Sequence, residues 1–171
     1  IFQGQGFKND YLIHKKEAYE IIIKNNYHTK FKNITDLDFF ETIEKLKKEM
    51  NNTYYQQLII FMYSIIGFEL LKSENNVLLN QINTMIGYSL GEYSALVCSG
   101  KISFEDGLNL VNLRAIEMKR IASNINTSML KIIGMNENLI NKYLTNNIFI
   151  SNDICDNIKI ISGDKNELYE F

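Results

Sequence analysis

The sequence predicts an α/β protein with a larger domain over residues 1–125 and a smaller one over residues 126–171. Three observations carry that prediction. Gly87-Tyr88-Ser89-Leu90-Gly91-Glu92 stands between a short apolar stretch, Thr84-Met85-Ile86, and a helical one, Tyr93 to Cys98, so that a strand turns sharply into a helix around one serine. Helical patterns fill most of the chain before Asn124. After Asn124 the order changes to strand, helix, strand, strand.

Ile1-Phe2 reads as the tail of a strand ending at the loop Gly4-Gln5-Gly6, where a ligand can approach the main chain. Helices are expected from Tyr11 to Lys24 and from Asp36 to Met50. Another runs from Thr53 to about Leu71, its start marked by a capping box of Thr53 and Gln56. Ser103 and Asp106 form a second cap pair, opening a helix from Phe104 to about Ala122. Met129–Ile133, Ile148–Ser151 and Ile158–Ser162 read as strands and Asn136–Leu144 as a short helix, with a further helix starting at Asp164. That order is the first part of a ferredoxin-like unit, and Phe171 comes before a last strand that would close it.

Composition narrows the function classes. A chain of 171 residues with 46% hydrophobic content has enough apolar surface for a core. The net charge of −2 leaves no electrostatic footprint for nucleic acid, and Lys15-Lys16, Lys45-Lys47-Lys48 and Lys119-Arg120 read as solvated helix faces. Cys98 and Cys155 are too few for a disulfide framework or a zinc site, and Cys98 reads as a buried free thiol. The longest apolar run, Leu58 to Leu71, is broken by Ser64, Gly67 and Glu69 and is shorter than the roughly 20 residues of a membrane span, so it reads as a core helix. The chain opens at Ile1 rather than methionine, which implies that the true amino terminus has been removed. Absent proline and abundant Asn, Lys and Ile point to a codon-biased genome.

Ser89 is the candidate nucleophile. Pinned in the turn between strand and helix, it takes a strained conformation that exposes its hydroxyl, and Gly87 and Gly91 remove the Cβ atoms that would block so close an approach. The Leu90 N–H lies at the amino end of the following helix and is a natural half of an oxyanion hole. Arg114 is the charge that does not fit its surroundings: Leu110, Val111 and Met118 lie at i−4, i−3 and i+4 from it. Two readings of it stay open. It is an internal ion-pair member, for instance with Glu117, or a stem that snorkels to water; alternatively it is a fork for a ligand carboxylate.

With Ser89 and Arg114 both in hand, the chain resembles the malonyl-CoA:acyl-carrier-protein transacylase family, the acyltransferases of fatty-acid and polyketide synthesis. Phe2-Gln3-Gly4-Gln5-Gly6 is similar to the family's Phe-Pro-Gly-Gln-Gly, and Asn52-Thr53 with Gln57 to its Asn-x-Thr-x-x-x-Gln-Pro. The elbow is similar to its Gly-His-Ser-x-Gly-Glu, and Ser103-Phe104-Glu105-Asp106 through Leu113-Arg114 to its next helix. Asn152 and Ile160-Ile161-Ser162-Gly163 resemble a later segment ending Val-Val-Ile-Ser-Gly. The resemblance implies an α/β-hydrolase-like large domain with a ferredoxin-like small subdomain, incomplete in this chain.

What the resemblance implies carries over residue by residue. Ser89 matches the nucleophile that takes malonyl from coenzyme A, and Arg114 the arginine that binds the malonyl carboxylate. Gln5 and Leu90 match the positions whose amides form the oxyanion hole, and Gln57 a glutamine lining the cleft. No metal or cofactor is implied beyond the phosphopantetheine carried by the substrates. The implied partners are malonyl-CoA and acyl carrier protein, with no nucleic acid or membrane, for a monomer. The composition adds a plastid-like organelle, the apicoplast, as the compartment, with a mitochondrion or bacterial cytoplasm as alternatives. Tyr88 departs from the family histidine, Gln3 and Leu58 from its prolines, Phe7-Lys8 from Ser-Gln, and Ile154 from a second asparagine. The family's catalytic histidine falls downstream of Phe171, and His14 and His28 read as surface residues. An acyltransferase domain of a polyketide synthase, an esterase with the same elbow, and a non-catalytic docking or regulatory remnant are the alternative readings.

Overall fold

The structure, a computed structural model, describes residues 1–3, 15–74 and 81–171. The Gly4-Gln5-Gly6 loop, His14 and the start of the helix expected from Tyr11 lie outside the described residues. The chain divides into two compact units, Ile1–Lys119 and Arg120–Phe171, each with its own buried core.

The first unit is built around one helix. Helices α1 (Lys16–Lys24), α2 (Tyr27–Thr35) and α3 (Phe39–Lys48) lead into α4 (Thr53–Glu74). Residues on all sides of α4 are buried, from Leu58, Phe61 and Met62 to Ile66 and Leu70, as expected of a helix whose apolar residues run all round it. The sequence is right that this run is a core helix: no helix among the described residues is long and apolar enough to cross a membrane. Ala18 and Ile22 of α1, Phe31 of α2 and Phe39 and Ile43 of α3 close on the same core.

Two local details differ from the sequence expectation. Helix α2 was not foreseen, because Asn26 takes a left-handed conformation, φ 54°, and so interrupts the helical phase between Lys24 and Tyr27. At the start of α4 the cap is Asn52, not Thr53: Asn52 Oδ1 accepts from Tyr54 N at 3.1 Å and Tyr55 N at 3.4 Å. An asparagine side chain reaches the second and third amides of a helix as readily as threonine, and the Gln56 side chain donates instead to Met50 O. The Ser103–Asp106 pair forms as expected, with Asp106 N donating to Ser103 Oγ at 3.0 Å and that hydroxyl donating to Asp106 Oδ2 at 2.7 Å.

Helices α5 (Leu90–Cys98) and α6 (Phe104–Asn124) follow. The strand expected at Thr84–Ile86 reduces to a single parallel bridge between Phe2 and Gly87. Phe2 N donates to Ile86 O at 2.7 Å and Tyr88 N to Phe2 O at 3.2 Å. A strand exists only through its partners, and among the described residues only Phe2 pairs with this segment.

The second unit carries β1 (Thr127–Ile133), α7 (Glu137–Ile140), β2 (Ile148–Cys155), β3 (Ile158–Asp164) and α8 (Lys165–Glu170). The strands form one antiparallel sheet in the order β1-β3-β2. Ile132, Ile140, Ile148, Ile161 and Leu168 make its core. Burial alternates along β3, as it must for a central strand with one covered face. The helix expected over Asn136–Leu144 is shorter, Glu137–Ile140, with Asn136 Oδ1 capping it from Asn138 N at 2.7 Å.

Candidate active site

The site is assembled within the first unit from α4, the elbow and α6. Ser89 lies between the Phe2–Gly87 bridge and α5 with φ 52° and ψ −110°. An L-residue holds such a backbone only where its surroundings impose it, at a cost of order 1–3 kcal/mol. The two glycines are part of what imposes it. A Cβ on Gly87 would stand 2.2 Å from the Gly91 carbonyl carbon, and one on Gly91 would stand 2.3 Å from Phe2 O. Backbone meets backbone at both places, so neither contact can be relieved by turning a side chain.

The turn also sorts the amides at the start of α5. Gly91 N donates to Tyr88 O at 2.9 Å and Glu92 N to Ser89 O at 3.1 Å. Leu90 N–H has no acceptor among the described residues, and it sits at the positive end of the helix dipole. Leu90's own side chain is fully buried and anchors the turn in the core.

Arg114 reaches this turn from α6. Its Nη2 donates to Ser89 Oγ at 3.0 Å and its Nη1 donates to Gln57 Oε1. A guanidinium only donates, so Ser89 Oγ is the acceptor and its own proton remains to be given elsewhere. The apolar stripe expected around Arg114 is only partly present. Val111 and Ala115 are buried, whereas Leu110 and Met118 are 45% and 38% exposed, because α6 turns just the Val111–Ala115 side to the core. Gln57, with no exposed surface, is held on its other side: Nε2 donates to Thr53 Oγ1 at 3.2 Å and contacts Met118 Sδ at 3.5 Å.

Of the sequence-predicted site residues, Ser89, Leu90, Arg114 and Gln57 thus come together, and Gln5 lies outside the described residues. The contributions of Thr53 and Met118 were missed. Their signal was the helical spacing, Thr53 four residues before Gln57 and Met118 four after Arg114. His28 is half-buried on α2 rather than on the surface, and its Nε2 meets Thr29 Oγ1 at 3.1 Å within that helix. Cys98 is free and half-buried. Burial first, and then the neighbouring Glu69 carboxylate, push its thiol up to about 12 against a smaller opposing effect of Lys72, which removes it as a nucleophile near neutral pH. No group of metal-ligating side chains occurs among the described residues. An apolar cavity of about 730 Å³, with Phe2, Ile59, Tyr63, Phe68 and Met85 among its lining, includes neither Ser89 nor Arg114.

A comparison with protein-family models gives no match. Individual proteins do match. The chain is 32% identical over 147 residues to the malonyl CoA-acyl carrier protein transacylase of Haemophilus influenzae, an alignment covering 82% of this chain and 45% of that protein. It is 35% identical over 127 residues to the enzyme of the same name from Buchnera aphidicola, covering 71% and 40%. The chain belongs to the malonyl CoA-acyl carrier protein transacylases. It spans under half the length of these curated relatives. The fold agrees with the family: against the transacylase structure from Streptococcus pneumoniae the TM-score is 0.78 at 24% identity, covering 98% of this chain and 55% of that one. A second structure of the family, a malonyl-transacylase in complex with a type II polyketide acyl carrier protein, gives 0.76 at 21%, covering 98% and 55%.

Proposed function

We propose that this chain carries the nucleophile and the acyl-binding arginine of a malonyl CoA-acyl carrier protein transacylase working in fatty-acid biosynthesis. The observation that carries the proposal is the 3.0 Å hydrogen bond from Arg114 Nη2 to Ser89 Oγ. It puts a permanent cation one hydrogen bond from the attacking oxygen, where a short acyl group bearing a carboxylate would span the two.

In the proposed reaction Ser89 Oγ attacks the thioester carbonyl of malonyl-CoA and its proton passes to a general base. The tetrahedral oxyanion is held by Leu90 N–H and, as the resemblance implies, by the amide of Gln5. A donor of this kind contributes about 2.7–4 kcal/mol. The C–S bond then breaks, the coenzyme A sulfur takes the proton, and malonyl remains as an ester on Ser89. The phosphopantetheine thiol of the carrier protein attacks that ester, the Ser89 oxygen regains a proton, and malonyl leaves as the new thioester. Arg114 binds the distal carboxylate throughout. Since Arg114, the partner of Ser89 Oγ among the described residues, cannot accept a proton, we assign the base to a histidine in the part of the family's length that this chain does not span.

The remaining parts of the proposal rest on kinship and topology. The β1-β3-β2 antiparallel order supports a ferredoxin-like subdomain from about residue 126, and the strained serine between an extended segment and a helix supports an α/β-hydrolase-like domain before it. The solved complex of a related transacylase with a carrier protein supports a carrier protein as acceptor. No cofactor is proposed beyond the pantetheine of the substrates, and the acting species is proposed to be a monomer. The named relatives are bacterial, which supports a bacterial-type enzyme and lends nothing to a plastid.

Loading of carrier protein by malonyl-CoA, compared with hydrolysis of p-nitrophenyl acetate by the same intact protein, tests the proposal. Rapid loading with slow hydrolysis supports it. Hydrolysis without loading would make the protein an esterase.

A further inference from the structure

We infer that Thr53 is a positioning residue for acyl selectivity, acting through Gln57 on Arg114. The inference rests on Arg114 being the carboxylate-binding group. Gln57 has no exposed surface, so its amide must satisfy both ends inside the protein. Its two ends are not equivalent to their neighbours. Arg114 offers only donors, so Oε1 has to face the guanidinium, as it does. The amide nitrogen must then find acceptors on the opposite side, where it meets Thr53 Oγ1 at 3.2 Å and Met118 Sδ at 3.5 Å.

Of these two acceptors the hydroxyl is the strong one, because a thioether sulfur accepts weakly. The reversed amide would set its N–H groups against the guanidinium, donor against donor, and push Arg114 away from Ser89. Arg114 thus sets the amide orientation, and Thr53 supplies the strong acceptor that satisfies Nε2 in it; without that hydroxyl the buried N–H is left to a weak sulfur and Gln57 loses its firm hold on the guanidinium that keeps Nη2 at Ser89 Oγ. The geometry favours such control: Thr53 and Gln57 are one turn apart in the first turns of α4, so their relative position is fixed by the helix rather than by a loop. Thr53, expected from sequence to cap this helix, leaves that task to Asn52.

The test is a comparison of malonyl and acetyl loading onto carrier protein by the intact protein and its Thr53→Val, Thr53→Ala and Thr53→Ser variants, each melted to check folding. Thr53→Val keeps the shape and removes the acceptor. The expected result is a fall of about tenfold in malonyl kcat/KM for Thr53→Val and Thr53→Ala, acetyl loading within about twofold of wild type, and malonyl preference restored by Thr53→Ser. A merely structural residue would lower both rates together. If Thr53→Val does not fold, the Thr53→Ala and Thr53→Ser pair decides. Folded variants with a wild-type ratio of malonyl to acetyl overturn the role of Thr53 while leaving the function intact, whereas a wild-type protein that never loads malonyl overturns the function and this inference with it.

Discussion

Ser89, at φ 52°, holds its hydroxyl beside a guanidinium instead of relaxing into the helix it precedes. Replacing Arg114 by alanine removes a charge-assisted hydrogen bond of about 1.5–3 kcal/mol. We predict that malonyl kcat/KM falls roughly ten- to hundredfold in Arg114→Ala while acetyl transfer does not fall with it. An unchanged ratio of the two would reduce Arg114 to a structural role. Lysine will not restore the ratio, since it lacks the planar fork that meets Gln57 and Ser89 at once.

A second residue-scale prediction concerns alkaline stability. The Cys98 thiol is raised from an ordinary 9.0 to about 12, chiefly by burial, and the Tyr27 hydroxyl from 10.0 to about 12 for the same first reason. In both the folded protein holds the proton more tightly than the unfolded chain. Their stabilisation is complete below the unfolded values and is lost as pH rises towards the folded ones. The melting temperature should therefore decline between about pH 9 and 12, and Cys98→Ala should flatten the earlier part of that decline. A melting curve indifferent to pH across this window would refute the burial of these groups.

At the scale of elements, two glycines separate contacts that can yield from contacts that cannot. A Cβ on Gly107 would lie 2.4 Å from Val97 Cγ2 and 3.2 Å from Phe61 Cζ, all side-chain atoms. Gly107→Ala should cost about 1–3 kcal/mol by overpacking. Shortening Val97 to alanine in the same protein should recover part of that, a non-additivity readable in paired denaturation curves. Gly91→Ala has no such escape, because its Cβ would meet Phe2 O at 2.3 Å. It should abolish acyl transfer, and no second-site truncation of a side chain should rescue it. Rescue would mean that the elbow is not held by the Phe2 backbone.

Across the whole molecule, what was legible in the sequence was what depends on local chemistry. The glycine-flanked Ser89, the Ser103–Asp106 cap and the apolar run of α4 each declare themselves within a few residues, and each stands where the sequence put it. What depends on distant partners was not legible. Among the described residues, the segment before Gly87 pairs only through Phe2, some 80 positions away. Arg114 illustrates both cases: its spacing marked it as unusual, but the apolar stripe behind that argument is half exposed, and its partners come from α4 and the elbow. In the second unit, Lys159 lies almost wholly buried between Asp153 and Glu137, and the Asp153 carboxylate holds its ammonium above the usual lysine range. Nothing in the local sequence marks that lysine, because β3 and its register with β2 create the site.

The most direct test of the account is mass spectrometry of the peptide containing Ser89 after the intact protein has met malonyl-CoA without carrier protein. The expected result is one malonyl group esterified to Ser89, absent from Ser89→Ala and discharged when carrier protein is added. A peptide that stays unmodified while carrier protein is loaded, or malonyl retained at wild-type level by Ser89→Ala, would contradict it.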